Sequence, residues 1–178
     1  MKVRIEPFER HRPRNFFDCG RKPIDNWYKN HAKKCVDRAE DRVFEAVLEA
    51  DSRVVGYYAL QIGNESMDAL PNKPNDYTQN YQAFPAVHLG FLGVHREYQR
   101  KGIGTVLLTD IFEKVYRISE IAGMYALTLQ SYDEDSTAFY KGLGFEAYTD
   151  HPTSPKMLVP IRIIRELVGE ASELTEVD

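Results

Sequence analysis

Gln99, Gly102 and Gly104 stand at Q-x-x-G-x-G spacing in the stretch YQRKGIGTVLL (98–108), where a charged turn meets an apolar run of helical character. Glycine is among the worst helix formers, so two of them at a helix start need another reason. The first amides of a helix have no acceptor inside it, and a residue without Cβ lets an anion approach them closely. Arg100 and Lys101 within the turn, and His95 and Arg96 just before it, add cationic or protonatable side chains. Gln99, Arg100, Lys101, Gly102, Ile103, Gly104 and Thr105 therefore form a candidate cradle for a ligand carrying several phosphates. The alternative is an ordinary strand-to-helix turn. Neither GxxxxGK[ST] nor GxGxxG occurs, so P-loop nucleotide hydrolysis and dinucleotide-dependent hydride transfer lack their signatures.

The elements that must hold this turn follow from periodicity. AVHLGFLGV (86–94) reads as a buried strand entering it, and GTVLLTDIFEKVYRIS (104–119) as the helix leaving it. Upstream, Ile24, Trp27, Tyr28, His31 and Cys35 recur at helical spacing behind Pro23, which predicts one helix over about 24–40. Its other face carries Lys29, Lys33, Lys34 and Arg38. RVFEAVLEA and RVVGYYALQI, parted by Asp51–Ser52, predict a β-hairpin, and the three prolines that follow predict a long loop over 63–86. MYALTLQ (124–130) reads as a strand. DEDSTAFYKGLGF reads as a short capped helix ended by glycine, Phe145 opens a last β segment, and MLVPIRIIREL closes the fold. A helix first, then a hairpin, then strand–helix–strand–helix–strand predicts an α/β layer architecture with helices packed on a central sheet.

The chain has 178 residues, 43% of them hydrophobic, enough for one domain with a real core; residues 1–165 are expected to form it, followed by an acidic tail, 166–178. No apolar run approaches a membrane span and the N-terminus has no signal-peptide pattern, which points to the cytoplasm. Cys19 and Cys35 lie outside any CxxC or Cys/His grouping, so no metal site is expected. The net charge of −4 is uneven: residues 1–43 hold 12 Lys/Arg against 7 Asp/Glu, while 166–178 hold five acids and no base. The basic end suits a phosphate-bearing partner, and the acidic end reads as a solubilising tail.

With FYKGLGF at 139–145, this order of elements resembles the GNAT superfamily of acetyl-CoA-dependent N-acetyltransferases over nearly the whole chain. The resemblance implies a GNAT acyl-CoA N-acyltransferase fold, with a mixed, mostly antiparallel central sheet and helices on both faces. It also implies that the 99–105 turn holds the pyrophosphate of coenzyme A, that Leu92, Gly93 and Val94 line the pantetheine arm, and that Tyr140 lies near the thioester sulfur. Attack of an amine on a thioester needs stabilisation of an oxyanion, loss of a proton and protonation of the leaving thiolate. A strand N–H around Leu92–Val94 is suited to the first task. Tyr140, a phenol with an ordinary pKa of about 10, is suited to the last; without the resemblance it would read as a core aromatic. No base is assigned among His11, His31, His88, His95 and His151. An α-amine, at pKa of about 7.7–8.0, is far more often neutral than lysine and has less need of one.

The N-terminal half narrows the resemblance. FDCGRKPIDNWYKNHA and VVGYYAL, through Phe17, Cys19, Gly20, Ile24, Trp27, Gly56, Tyr57, Tyr58 and Leu60, are similar to the GNAT toxins of bacterial toxin–antitoxin pairs. This implies acetylation of the α-amine of aminoacyl-tRNA, a block on translation, a homodimer and a ribbon-helix-helix antitoxin. Lys29, Lys33, Lys34 and Arg38 become candidate tRNA contacts. The chain departs from the toxins at LGFLGV, where Phe91 replaces an arginine and Gly93 an alanine. Two other readings stand beside this one: an N-acetyltransferase for a protein or small-molecule amine, and a non-catalytic coenzyme A-binding module.

Overall fold

The computed structural model describes residues 2–66 and 83–175, with side chains to Gly169. Among the described residues, seven strands take the order β1-β2-β3-β4-β5-β7-β6. The strands are β1 (Val3–Pro7), β2 (Arg42–Leu48), β3 (Val54–Ser66), β4 (Ala83–Val94), β5 (Ala126–Gln130), β6 (Glu146–Ala147) and β7 (Lys156–Pro160). The helices are α1 (Lys22–Asn30), α2 (Ala32–Asp37), α3 (Ile103–Ile121), α4 (Glu134–Lys141) and α5 (Ile161–Thr175). Among the described residues no helix is long and apolar enough to cross a membrane.

The chain divides into two compact units, Met1–Gln61 with Leu89–Ile111, and Ile62–His88 with Phe112–Asp178. In the first, β1 pairs antiparallel with β2, and β2 with β3 across a register shift at Ala46/Val47. Residues 54–60 of β3 are all buried. Gly56 explains how α3 comes so close to that strand: a Cβ there would sit 3.0 Å from Leu107 Cδ1 and 3.3 Å from Ile103 Cγ2, in the first turns of α3. Tyr57 donates from its hydroxyl to the Ile24 carbonyl of α1 (2.8 Å), and Tyr58 donates to Asp110 of α3. Adjacent residues of one strand thus hold the two helices. Phe17, Cys19, Tyr28, Ala32, Val43, Val54, Tyr57 and Ala59 form the core here, with Ile24, Trp27 and Phe91 packed against it.

In the second unit β7 pairs antiparallel with both β5 and β6, and Phe84, Ala86, Ala126, Tyr148 and Leu158 form a core. Helix α4 starts in a capping box: the Asp133 carboxylate accepts from Ser136 N–H (2.8 Å) and Ser136 Oγ accepts from Asp133 N–H (2.9 Å). It ends at Gly142, and Gly144, at φ +89°, supplies the left-handed residue that turns the chain toward β6.

Several expectations need correction. The chain begins with β1, not with a helix. The helix expected over 24–40 is two helices broken at His31, whose φ of −119° interrupts the turn although the apolar period continues. The loop expected over 63–86 is strand at both ends, since β3 reaches Ser66 and β4 starts at Ala83; residues 67–82 lie outside the described residues. The strand expected from 124 starts at Ala126. The segment 166–178, expected as a tail, is helical to Thr175 within α5, and 176–178 lie outside the described residues.

Candidate functional site

Strand β4 delivers the chain to the glycine turn. A short 3-10 turn, Arg96–Tyr98, follows it, then Arg100 at φ +57° and Gly102 at φ +84°, and α3 begins at Ile103. A left-handed Arg100 is strained for a residue with a Cβ, and Gly102 accepts the same conformation freely. The first bond of the helix runs from Val106 N–H to the Gly102 carbonyl (3.1 Å), which leaves the first-turn amides of Ile103, Gly104 and Thr105 without an acceptor inside the helix. A Cβ built on Gly102 meets nothing within 4 Å, so the space beside the turn is open. Arg100 is exposed, and Lys101, also exposed, has its Nζ 5.5 Å from the centre of the Tyr98 ring. Open amides at the positive end of a 19-residue helix, beside two exposed cations, fit a diphosphate.

Not every residue near the turn faces outward for a ligand. Arg96 pairs with Asp18 at 2.5 Å, which with the Gly20 amide holds the Asp18 carboxyl below the usual carboxylate range. The Gln99 side-chain amide donates to the carbonyls of Cys19 (2.8 Å) and Val94 (2.9 Å). These bonds join positions up to 80 residues apart, which sequence spacing gave no means of seeing. Of the candidate pantetheine residues, Gly93 is buried while Leu92 and Val94 are half-buried.

Gly93 and Phe91, the two departures in LGFLGV, share one cause. Phe91 stacks on Trp27 with ring centres 4.1 Å apart. A Cβ on Gly93 would lie 3.0 Å from Tyr57 Cε1 and 3.1 Å from Ile24 Cγ2. Helix α1 therefore sits on β4 through an aromatic layer that uses both positions. Phe17 anchors the same layer, edge-on to Tyr28 and Tyr57 at 5.0 and 5.4 Å. Cys19 beside it is buried, and burial together with the Asp25 carboxylate pushes its thiol up to about 12, so it is neutral and a poor nucleophile at neutral pH.

On the acceptor candidates, Lys29 is half-buried on α1, and Lys33 and Lys34 are exposed on α2. Arg38 caps α2 and lies 3.7 Å from Glu40. In the second unit, Tyr140 is 8% exposed on the last turn of α4, with Phe145 edge-on at 5.5 Å and Phe139 at 5.3 Å. The Tyr140 carbonyl accepts from the amides of Leu143 (3.0 Å) and Phe145 (3.1 Å), so the YKGLGF turn fixes its backbone. Among the described residues no group of His, Cys, Asp and Glu has the arrangement of a metal site.

The order β4, glycine turn, α3, β5 and tyrosine-bearing α4 is the order on which the sequence resembles the acetyltransferases. The model of the acetyltransferase (GNAT) family matches residues 5–145, and the chain belongs to that family. It is 29% identical over 173 residues to a probable toxin TacT of Sinorhizobium fredii, covering 93% of this chain and 94% of that protein. It is also similar to two solved structures at 25% identity. AtaT complexed with acetyl-methionyl-tRNAfMet superposes with a TM-score of 0.84, covering 94% of this chain and 99% of that one. AtaTR bound with acetyl-CoA superposes with a TM-score of 0.81, covering 93% and 98%.

Proposed function

We propose that this chain is an acetyl-CoA-dependent N-acetyltransferase whose acceptor is the α-amine of an aminoacyl-tRNA, acting in the cytoplasm as a toxin that blocks translation. The observation that carries this reading is the left-handed Arg100–Gly102 turn opening α3, in a chain of the GNAT family. Acetyl-CoA supplies the acetyl group as an activated thioester. The amides between Lys101 and Thr105 hold the diphosphate, with Arg100 and Lys101 balancing its charge. The β4 backbone at Leu92, Gly93 and Val94 aligns the pantetheine arm, and one of its N–H groups faces the developing oxyanion. The Tyr140 hydroxyl gives its proton to the departing sulfur.

The acceptor amine sheds its own proton to water, which an α-amine of pKa about 7.7–8.0 does readily at neutral pH. Lys29, Lys33, Lys34 and Arg38 meet tRNA phosphates; Lys33 and Lys34, which make no ion pair among the described residues, are the stronger contributors. The likeness to AtaT with acetyl-methionyl-tRNAfMet supports this acceptor, and that to AtaTR with acetyl-CoA supports the donor. The resemblance to the toxins further supports a homodimer restrained by a ribbon-helix-helix antitoxin.

The test is direct. Purified protein with acetyl-CoA and charged tRNA should release free coenzyme A and yield N-acetylated aminoacyl-tRNA. Tyr140→Phe should lower kcat about 100-fold while coenzyme A affinity stays within about twofold, because the hydroxyl acts only as the sulfur leaves. Turnover on free amines or peptides and none on charged tRNA would transfer the assignment to a protein or small-amine acetyltransferase. Tight donor binding with no turnover on any amine would leave a binding module.

A further inference from the structure

The segment Phe16–Gly20 runs beside the loop that leads into the glycine turn and is tied to it at four points. His95 Nε2 lies 3.2 Å from the Phe16 carbonyl, Arg96 N–H donates to the Asp18 carbonyl (2.8 Å), the Arg96 guanidinium pairs with the Asp18 carboxylate, and Gln99 donates to the Cys19 carbonyl. The other face of the same peptide segment is held by α1: Cys19 N–H donates to Asp25 Oδ1 at 2.8 Å in a buried contact. Phe17, fully buried, and Gly20, at φ +84°, fix the path of the segment. A continuous chain of bonds thus runs from the Asp25 carboxylate of α1, through the Cys19 backbone, to the amide of Gln99.

We propose that Gln99 is a positioning residue: its side chain fastens the glycine turn to the Phe16–Gly20 strap and, through Cys19 and Asp25, to helix α1. This rests on the reading of that turn as the donor's diphosphate site. Gln99 directly precedes Arg100, the first of the two left-handed residues, so its restraint sets the direction in which the following amides point. Both hydrogens of its NH2 group go to protein carbonyls, leaving that nitrogen no hydrogen for a phosphate. Helix α1, which carries the candidate acceptor residue Lys29, and the donor turn then share one hydrogen-bonded frame, and loosening either end of the bridge disturbs the turn.

A double-mutant cycle tests this. Gln99→Met keeps the length and loses both donors; Gln99→Arg keeps N–H donors; Asp25→Leu loses the acceptor for Cys19; Asp25→Asn keeps an oxygen there. Coenzyme A affinity is measured by calorimetry, and exchange of the hydrogen-bonded amides that frame the turn, those of Arg96, Tyr98 and Val106, is measured in the ligand-free protein. Gln99→Met and Asp25→Leu should each weaken coenzyme A on the order of tenfold and speed exchange in the turn, the scale of one or two lost hydrogen bonds. The double variant should be no worse than the weaker-binding single one, and Gln99→Arg and Asp25→Asn should stay near wild type. Additive losses, or an Asp25→Leu variant of lower Tm with unchanged affinity and exchange, would overturn the bridge and make Gln99 a direct ligand or a local prop. Asp25→Ser, too short to reach the Cys19 amide, serves if Asp25→Leu does not fold. If the wild type binds no coenzyme A, the donor-site reading falls by itself; the exchange measurement then decides the bridge, faster exchange upholding it and unchanged exchange sinking it.

Discussion

At Gly93 a single hydrogen atom in place of a methyl group decides whether α1 can rest on β4. The neighbours that a Cβ would meet have little room to yield: Tyr57 is fully buried, stacked on Tyr28 with ring centres 4.1 Å apart, and tied by its hydroxyl to the carbonyl of Ile24, itself the second neighbour. Close-packed surroundings turn one added carbon into strain. Gly93→Ala is therefore expected to destabilise the protein by about 1–3 kcal/mol, seen as a lower urea midpoint at unchanged slope. An alanine variant as stable as wild type would mean that the aromatic layer repacks freely. Chemistry-bearing residues were legible in the sequence where the reason for them is local. Gly102 announces a helix start open to an anion, and DEDSTAFYKGLGF announces a capped helix ended by glycine. Gln99 was legible as part of the turn but not in its role, because the carbonyl of Cys19 is distant along the chain and any residue type supplies a carbonyl.

Among elements, residues 9–14 between β1 and α1 gain their order from one buried charge. Glu45, on β2, is fully buried and accepts from the Tyr28 hydroxyl (2.6 Å), Arg12 (2.5 Å), Arg14 (3.2 Å) and the Glu9 amide (3.3 Å). The Arg14 guanidinium also lies 3.8 Å over the centre of the Phe8 ring. In RVFEAVLEA this glutamate looks like a solvent-facing strand position, and the pairing of β1 with β2, the return of residues 9–14 across it and Tyr28 of α1 bury the carboxylate. The same blindness hid β1, whose five residues alternate apolar and charged side chains too briefly to declare a strand. The hairpin and α3, by contrast, carry long enough patterns to be read. Glu45→Ala would leave two nearly buried guanidinium groups facing a void, at a cost of about 3–5 kcal/mol. Proteolysis should then cut first within residues 8–16, and Glu45→Gln, which keeps the shape and the acceptor oxygen, should lose less. If Glu45→Ala unfolds at the wild-type denaturant concentration, the charge is not what orders this segment.

For the whole molecule, a net charge of −4 and the proposed polyanionic acceptor are reconciled by where the cations remain available. Many of the cations in residues 1–43 are paired internally: Arg4 and Arg12 with Glu6, Arg10 with Asp37, Arg12 and Arg14 with Glu45, and Arg38 with Glu40. Lys33 and Lys34 lie exposed on the short helix α2, outside that network, and Lys29 is on the preceding helix. A count of charges along the sequence could show the surplus but not which members of it are already paired. If these three lysines each meet a phosphate of single-stranded character, they should contribute about −2 to the slope of log affinity for charged tRNA against log salt, and Lys33→Ala with Lys34→Ala should remove about 1.4 of it. Coenzyme A affinity should not change in that double variant, because the proposed diphosphate site is the 101–105 turn. Arg38→Ala, already screened by Glu40, should alter the slope least. A slope unaffected by removing Lys33 and Lys34 would shift the acceptor surface away from α2 while leaving the donor turn and Tyr140 as proposed.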